Sequence, residues 1–169
     1  MLFRSTIYAD DTNFACFAKT VEQLQKMANE DLQACSTWFR VNKLTLNLKK
    51  THFLVFSHEQ RNRRIEPVCI TMGGGIVEQR TQTKFLGIIL DQHLRWSAHV
   101  KQLLGKISHY FHLSSILRHY MPRKILSNIY RSLVLPHLQY CVILWGVSSQ
   151  NICNLNRLLN GYRRNLLES

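Results

Sequence analysis

The spacing of apolar residues changes character near Trp96, and that change decides what the chain can fold into. Before it, short aromatic and β-branched runs alternate with turn-forming residues around one amphipathic segment. After it, apolar residues recur every three or four positions. The first eighteen residues read as a hairpin, with Leu2-Phe3 and Ile7-Tyr8 leading into Asp10-Asp11, and Phe14, Cys16 and Phe17 following. Thr20, with Gln23 three residues on, predicts a capped helix start. Val21, Leu24, Ala28, Leu32, Cys35 and Phe39 then give that helix one apolar face, with Glu22, Gln25, Lys26, Asn29 and Glu30 mostly opposite.

From Leu44 the period is two through Leu46 and Leu48, and His52 to Ser57 is strand-like. His58 to Arg64 reads as a polar, basic loop. Val68–Met72, the Gly73-Gly74-Gly75 run and Ile76-Val77 predict a hairpin, and Lys84–Leu90 a strand. Val100, Leu103, Leu104, Ile107, Phe111 and Leu117 keep helical spacing. Pro122 marks a break before Ile125, Ile129 and Leu133, and Pro136 a second one. A last amphipathic segment carries Ile152, Leu155, Leu159, Tyr162 and Leu166. The expected fold is α+β over residues 1–95 and all-α over 96–169.

Charge narrows the partner. Twenty-two Lys and Arg against ten Asp and Glu give +12, which favours a polyanion, nucleic acid ahead of an anionic membrane surface. The five cysteines are scattered without a C-x-x-C pair, which suggests neither a disulfide framework nor a zinc site and points to a reducing compartment. No apolar core of a signal peptide follows Met1, and the longest apolar run, Cys141 to Trp145, is too short to span a bilayer. A soluble intracellular protein is expected, with nucleus and cytoplasm both open.

Tyr8-Ala9-Asp10-Asp11 is the feature that asks for chemistry. Two adjacent carboxylates at a hairpin tip repel one another unless water or a cation intervenes, and magnesium takes such oxygen ligands. Aspartate is also an ordinary turn residue, so spacing alone leaves both readings open.

The string Tyr8-Ala9-Asp10-Asp11-Thr12 resembles the polymerase motif in the palm of reverse transcriptases, and the blocks after it are similar to the non-LTR retrotransposon branch in their order. These blocks are Trp38 with Asn42-Lys43-Leu44, Leu46-Asn47 and Lys50-Thr51; then Thr83-Lys84-Phe85-Leu86-Gly87 with Leu90-Asp91, Leu94, Trp96 and His99; then Tyr130, Leu135-Pro136, Tyr140 and Trp145-Gly146. The resemblance covers nearly the whole chain. It implies a partial palm, an antiparallel sheet with a packed helix, over 1–95 and a helical thumb-like region over 96–169. It implies Asp10 as a ligand of catalytic magnesium (manganese as the alternative), Asp11 beside it, and Tyr8 near the incoming nucleotide or primer end. Lys50 would lie near the triphosphate, with Lys49 as an adjacent substitute. Phe85, Leu86 and Gly87 would form a turn that steadies the primer, although Phe85 and Leu86 read equally as core. Arg123, Lys124 and Arg131, with Lys101, Lys106, Arg118, Arg157, Arg163 and Arg164, are candidates to meet nucleic-acid backbone from the thumb helices, while the loop arginines Arg61, Arg63 and Arg64 read equally as phosphate contacts or as a solvated basic loop. Trp38, Trp96 and Trp145 read as core anchors, and His99 as packing or surface.

The partners so implied are an RNA template and a DNA primer, without a membrane. Reverse transcriptases draw a further catalytic aspartate from an upstream strand, and no acidic residue precedes Asp10. A two-metal site on Asp10 and Asp11 alone would be under-liganded, so catalysis by the chain alone is not expected. An exposed sheet edge and apolar face are expected too, and with them self-association or a covering partner, such as the remaining N-terminal part of a polymerase. The alternative is a non-enzymatic nucleic-acid-binding module built on the basic helices; a structural relic is the third reading.

Overall fold

The computed structural model describes residues 4–56, 68–146 and 149–167, of which 149–151 and 162–167 are described by backbone alone. The basic loop with Arg61, Arg63 and Arg64 lies outside the described residues, as do Leu2-Phe3 and the side chains of Tyr162, Arg163, Arg164 and Leu166. The chain divides into two compact units, Met1–Thr81 and Gln82–Ser169. Small sheets and helices make it α+β.

The first unit opens with the antiparallel hairpin β1 (Arg4–Tyr8) and β2 (Asp11–Ala15), in register from Arg4 opposite Ala15 to Tyr8 opposite Asp11. The long helix α1 (Val21–Val41) follows, and its first turn is capped as the sequence predicts, the Thr20 hydroxyl accepting from the Gln23 N–H at 3.3 Å. Its other end explains Asn42-Lys43-Leu44. Lys43 turns left-handed (φ 57), the Leu44 N–H reaches back to the Phe39 carbonyl and the Lys43 N–H to that of Arg40. This is a Schellman closure with lysine in the place glycine usually takes. Leu46 and Leu48 then pack on the core of this unit, but residues 44–47 form no paired strand and Leu48 already belongs to a turn.

Short pairings complete the unit. β3 (His52–Phe53) runs parallel to β6 (Glu78–Gln79), and β4 (Thr71–Met72) pairs antiparallel with β5 (Gly75–Ile76) across Gly73 and Gly74, both left-handed. The predicted hairpin is present, turning on two of the three glycines, with Gly75 already paired in β5. Ala28, Val68, Ile70, Met72 and Val77 form the buried centre, with Phe14, Leu32, Cys35 and Phe39 against it. Burial, and then the nearby Asp31 carboxylate, push the Cys16 and Cys35 thiols up. Trp38 is no core anchor: it is exposed, because one helical step rotates it about 100° from the Phe39 that does pack.

The second unit starts with the hairpin β7 (Gln82–Phe85) and β8 (Ile88–Asp91), then α2 (Ser97–Leu117). The expected break at Pro136 is instead a change of helical pitch. α3 (Arg123–Ile129), a π-helical stretch Tyr130–Val134 and α4 (Leu135–Gln139) run on without interruption. A proline ring clashes with the carbonyl four residues back, and a local widening is one way to relieve that. A short α5 (Val142–Trp145) and α6 (Ser149–Leu167) follow. Val100, Leu103 and Ile107 of α2 pack with Val134, Leu138 and Trp145, and with Leu155, Leu158 and Leu159 of α6.

Candidate functional site

The acidic pair sits where the hairpin turns. Tyr8 and Asp11 are the last paired residues, so Ala9 and Asp10 alone make the turn, with Ala9 in the left-handed region (φ 52). An L-residue there costs roughly 1–2 kcal/mol, a strain carried beside the two carboxylates. Asp10, Asp11 and Tyr8 are exposed; Tyr8 retains 62% of its accessible surface. The strand register puts Tyr8 and Asp11 on one face of the hairpin, while Phe14, which packs on the core, belongs to the other. Ile7 lies on that second face and is itself 68% exposed.

Among the described residues, no group of three or more His, Cys, Asp or Glu side chains comes together. Two exposed carboxylates still suit one hard cation, since magnesium typically takes one or two protein carboxylates and fills its shell with water and phosphate oxygens. A second ion would need further oxygen ligands.

Lys49 and Lys50 are exposed on a tight turn in which the Asn47 carbonyl accepts from the Lys50 N–H (3.1 Å), the Thr51 N–H (3.1 Å) and the Thr51 hydroxyl (2.9 Å). Leu86 and Gly87 form the tip of the β7–β8 hairpin, with Phe85 the last residue of β7, so the single strand expected over Lys84–Leu90 is instead a strand, a turn and a second strand. Leu86 (φ 45) and Gly87 (φ 85) are both left-handed, as a two-residue turn between twisted strands favours. Phe85 is half-buried; Leu86 is exposed. Arg123, Lys124 and Arg131 are exposed on the α3–π–α4 helix, and Lys101, Lys106, Arg118 and Arg157 are exposed on or beside α2 and α6.

Several contributors escape sequence reasoning. Tyr140 enters only as part of a pattern, yet its hydroxyl donates to the Leu86 carbonyl at 2.5 Å. Asp91, likewise only a motif letter, accepts from the backbone N–H groups of His93 (3.0 Å), Arg95 (3.1 Å) and Trp96 (2.9 Å) and so sets the entry to α2. His99 is buried, with Nδ1 facing the Ile89 N–H of β8 at 3.4 Å and its ring near that of Trp145. Burial, then the Lys106 ammonium, lowers its pKa, which favours the neutral acceptor this contact requires. No local window marks the Tyr140 contact, 54 residues long, whereas the Asp91 partners lie only two to five residues on, within reach of an aspartate that caps a turn.

Comparison with known proteins agrees with the motif reading. The chain is similar to RNA-directed DNA polymerases of non-LTR retrotransposons. Against the RNA-directed DNA polymerase from mobile element jockey of Drosophila melanogaster it is 27% identical over 157 residues, 90% of this chain and 16% of that protein. The jockey polymerase of Drosophila funebris is 26% identical over 161 residues, with the same shares of each chain. The Pol polyprotein from type-1 retrotransposable element R1 of Bradysia coprophila is 28% identical over 101 residues, 59% of this chain and 10% of that protein. The chain thus spans about one sixth of the jockey polymerases it matches. No family model matches it, and no solved structure does. Among the described residues no helix is long and apolar enough to cross a membrane.

Proposed function

We propose that this chain is part of the palm and thumb of an RNA-directed DNA polymerase of a non-LTR retrotransposon, serving templated addition of deoxynucleotides to a primer 3′ hydroxyl. The observation that carries the reading is the pair of exposed carboxylates at the strained tip of β1–β2, in a chain similar over 90% of its length to such a polymerase. Residues 1–95 are palm and 96–169 thumb in this reading. The β7–β8 hairpin belongs to the palm sequence while lying in the second compact unit.

Asp10 and Asp11 would hold magnesium, or manganese in its place. A divalent ion held by these carboxylates would supply positive charge to offset that of the phosphoryl oxygens. Tyr8, on the face of the hairpin that carries Asp11, would meet the nucleotide or primer end. Lys50 places an ammonium for the triphosphate, where it stabilises the departing pyrophosphate. The Phe85–Gly87 turn steadies the primer, and Arg123, Lys124 and Arg131 contact backbone phosphates. The described residues bring two carboxylates to the turn and no third, so we propose that the 169-residue chain does not complete polymerisation alone. A binding module without chemistry is the second reading, favoured by the +12 charge.

Manganese titration followed by electron paramagnetic resonance tests the site. Weak binding that disappears in Asp10→Asn is the expected result; binding unchanged by that substitution removes Asp10 from the metal site. Primer extension by the chain with an RNA template is expected to be negligible, and extension insensitive to Asp10→Asn would refute the assignment.

A further inference from the structure

The β7–β8 turn is held in a conformation its own sequence disfavours. Both of its central residues are left-handed, and asparagine, aspartate or glycine ordinarily fills such positions. Gly87 meets that demand, but Leu86 is a branched L-residue at φ 45. What holds it lies 54 residues away, in the Tyr140 hydroxyl that donates to the Leu86 carbonyl. The Tyr140 ring also packs over the turn, since a Cβ on Gly87 would lie 3.6 Å from its Cε1.

Tyr140 is fixed in turn. It sits between α4 and α5, just before Cys141 reverses the chain at φ 51, and its own carbonyl accepts from the Trp145 indole N–H at 2.9 Å. Trp145 is almost fully buried in the helical core, and its ring also neighbours His99, the acceptor facing Ile89 on the far side of the turn. One buried tryptophan therefore backs two contacts that pin the hairpin, one at its tip and one on β8. Yet Leu86 remains exposed, so the tip is presented outward in a preset shape.

We infer that Tyr140 is a positioning residue that presets the Leu86–Gly87 turn for the 3′-terminal sugar-phosphate of a primer strand. This rests on the polymerase reading above. A preset turn binds without the cost of ordering on contact, and glycine at its second position lets a strand terminus come close to the backbone. Tyr140 thus differs from residues that merely stabilise the helices: its hydroxyl matters for recognising an end and little for general affinity.

The test is fluorescence anisotropy of the full chain with two RNA–DNA duplexes of equal length, one with a recessed DNA 3′ end and one blunt, at fixed low salt. The wild-type chain is expected to prefer the recessed end by about threefold to tenfold, the worth of one or two hydrogen bonds. Tyr140→Phe keeps the ring over Gly87 and removes the donor; it should lose the preference and bind the blunt duplex as before. Adding Leu86→Asn, a residue at ease in left-handed backbone, should restore the preference without the hydroxyl. Equal binding of both duplexes by the wild type, or a preference that survives Tyr140→Phe, overturns the inference and leaves the polymerase reading standing. Equal loss of affinity for both duplexes in Tyr140→Phe assigns a general structural role and overturns it too, as does a double variant that fails to recover. A wild-type chain that binds neither duplex removes the nucleic-acid reading itself, and this inference with it.

Discussion

The Asp91 carboxylate lies 2.9 Å from the Trp96 backbone nitrogen, and its other oxygen takes the N–H groups of His93 and Arg95. Three donors on one carboxylate hold a loop in which Leu94 (φ 52) and Trp96 (φ 63) are both left-handed. An ionised acceptor makes each bond stronger than a neutral pair would. Asp91→Ala should therefore destabilise the second unit by about 2–3 kcal/mol, and Asp91→Asn by less, because one amide oxygen still accepts. Urea unfolding followed by tryptophan fluorescence measures this; a change within about 0.5 kcal/mol, typical of an ordinary surface site, would rule the role out.

Asn29 ties α1 to the strand segment beside it. Its side-chain oxygen accepts from the Thr71 N–H at 2.8 Å and its nitrogen donates to the Cys69 carbonyl at 3.1 Å, while Gln25, one turn earlier, accepts from the Cys69 N–H. Two amides four residues apart thus take the place of a neighbouring strand. Asn29→Ala is expected to cost about 1–2 kcal/mol and to speed hydrogen exchange at the Thr71 amide. Unaltered exchange there would contradict the pairing.

Stability of the second unit should fall on mild acidification. The His99 pKa is lowered in the folded chain, so the unfolded chain takes up the proton first as pH drops. The contribution is intact above the ordinary histidine pKa of about 6.5 and is lost as pH falls below it towards the lower folded value. Thermal unfolding from neutral pH down through that window should show a declining midpoint, and His99→Gln should flatten the decline. A slope identical in the variant would mean that His99 does not carry it.

Arg123, Lys124 and Arg131 are exposed on one continuous helical segment. If they meet backbone phosphates, replacing all three by alanine should reduce the slope of log affinity against log salt by about 2–3, since each phosphate contact contributes close to 0.9. Asp10→Asn should leave that slope unchanged. A triple variant with the wild-type slope would place the nucleic-acid contact elsewhere.

Much of the local structure is legible in short windows of sequence. The Thr20–Gln23 cap, the glycine turn before Ile76 and the helical spacing from Val100 to Leu117 each depend on residues within a few positions of one another, where backbone sterics and side-chain period act directly. The hairpin around the acidic pair belongs with these, although its turn falls on Ala9 and Asp10 rather than on Asp10 and Asp11, and Asp11 already begins β2. Trp38 and the 44–48 segment show the limit. One apolar residue can lie a step off the buried stripe, and an alternating run can lie flat on a core without finding a strand to pair with.

The helix starts, most of the helical stretches, the basic charge and the family likeness were thus legible in the sequence, while the pairing around 44–48 and 84–90 was not. The long-range polar ties that hold the fold were settled by packing instead. Gln25 and Asn29 belong by spacing to a solvent face, and they became strand partners because a segment 40 or more residues away offers them unpaired backbone groups. Tyr140 reads as one more aromatic, and it became the clasp on Leu86 because packing around Trp145 brings the two together. A hydrogen bond needs its partner within about 3 Å, and no local pattern specifies a partner that the chain reaches only after its core has closed.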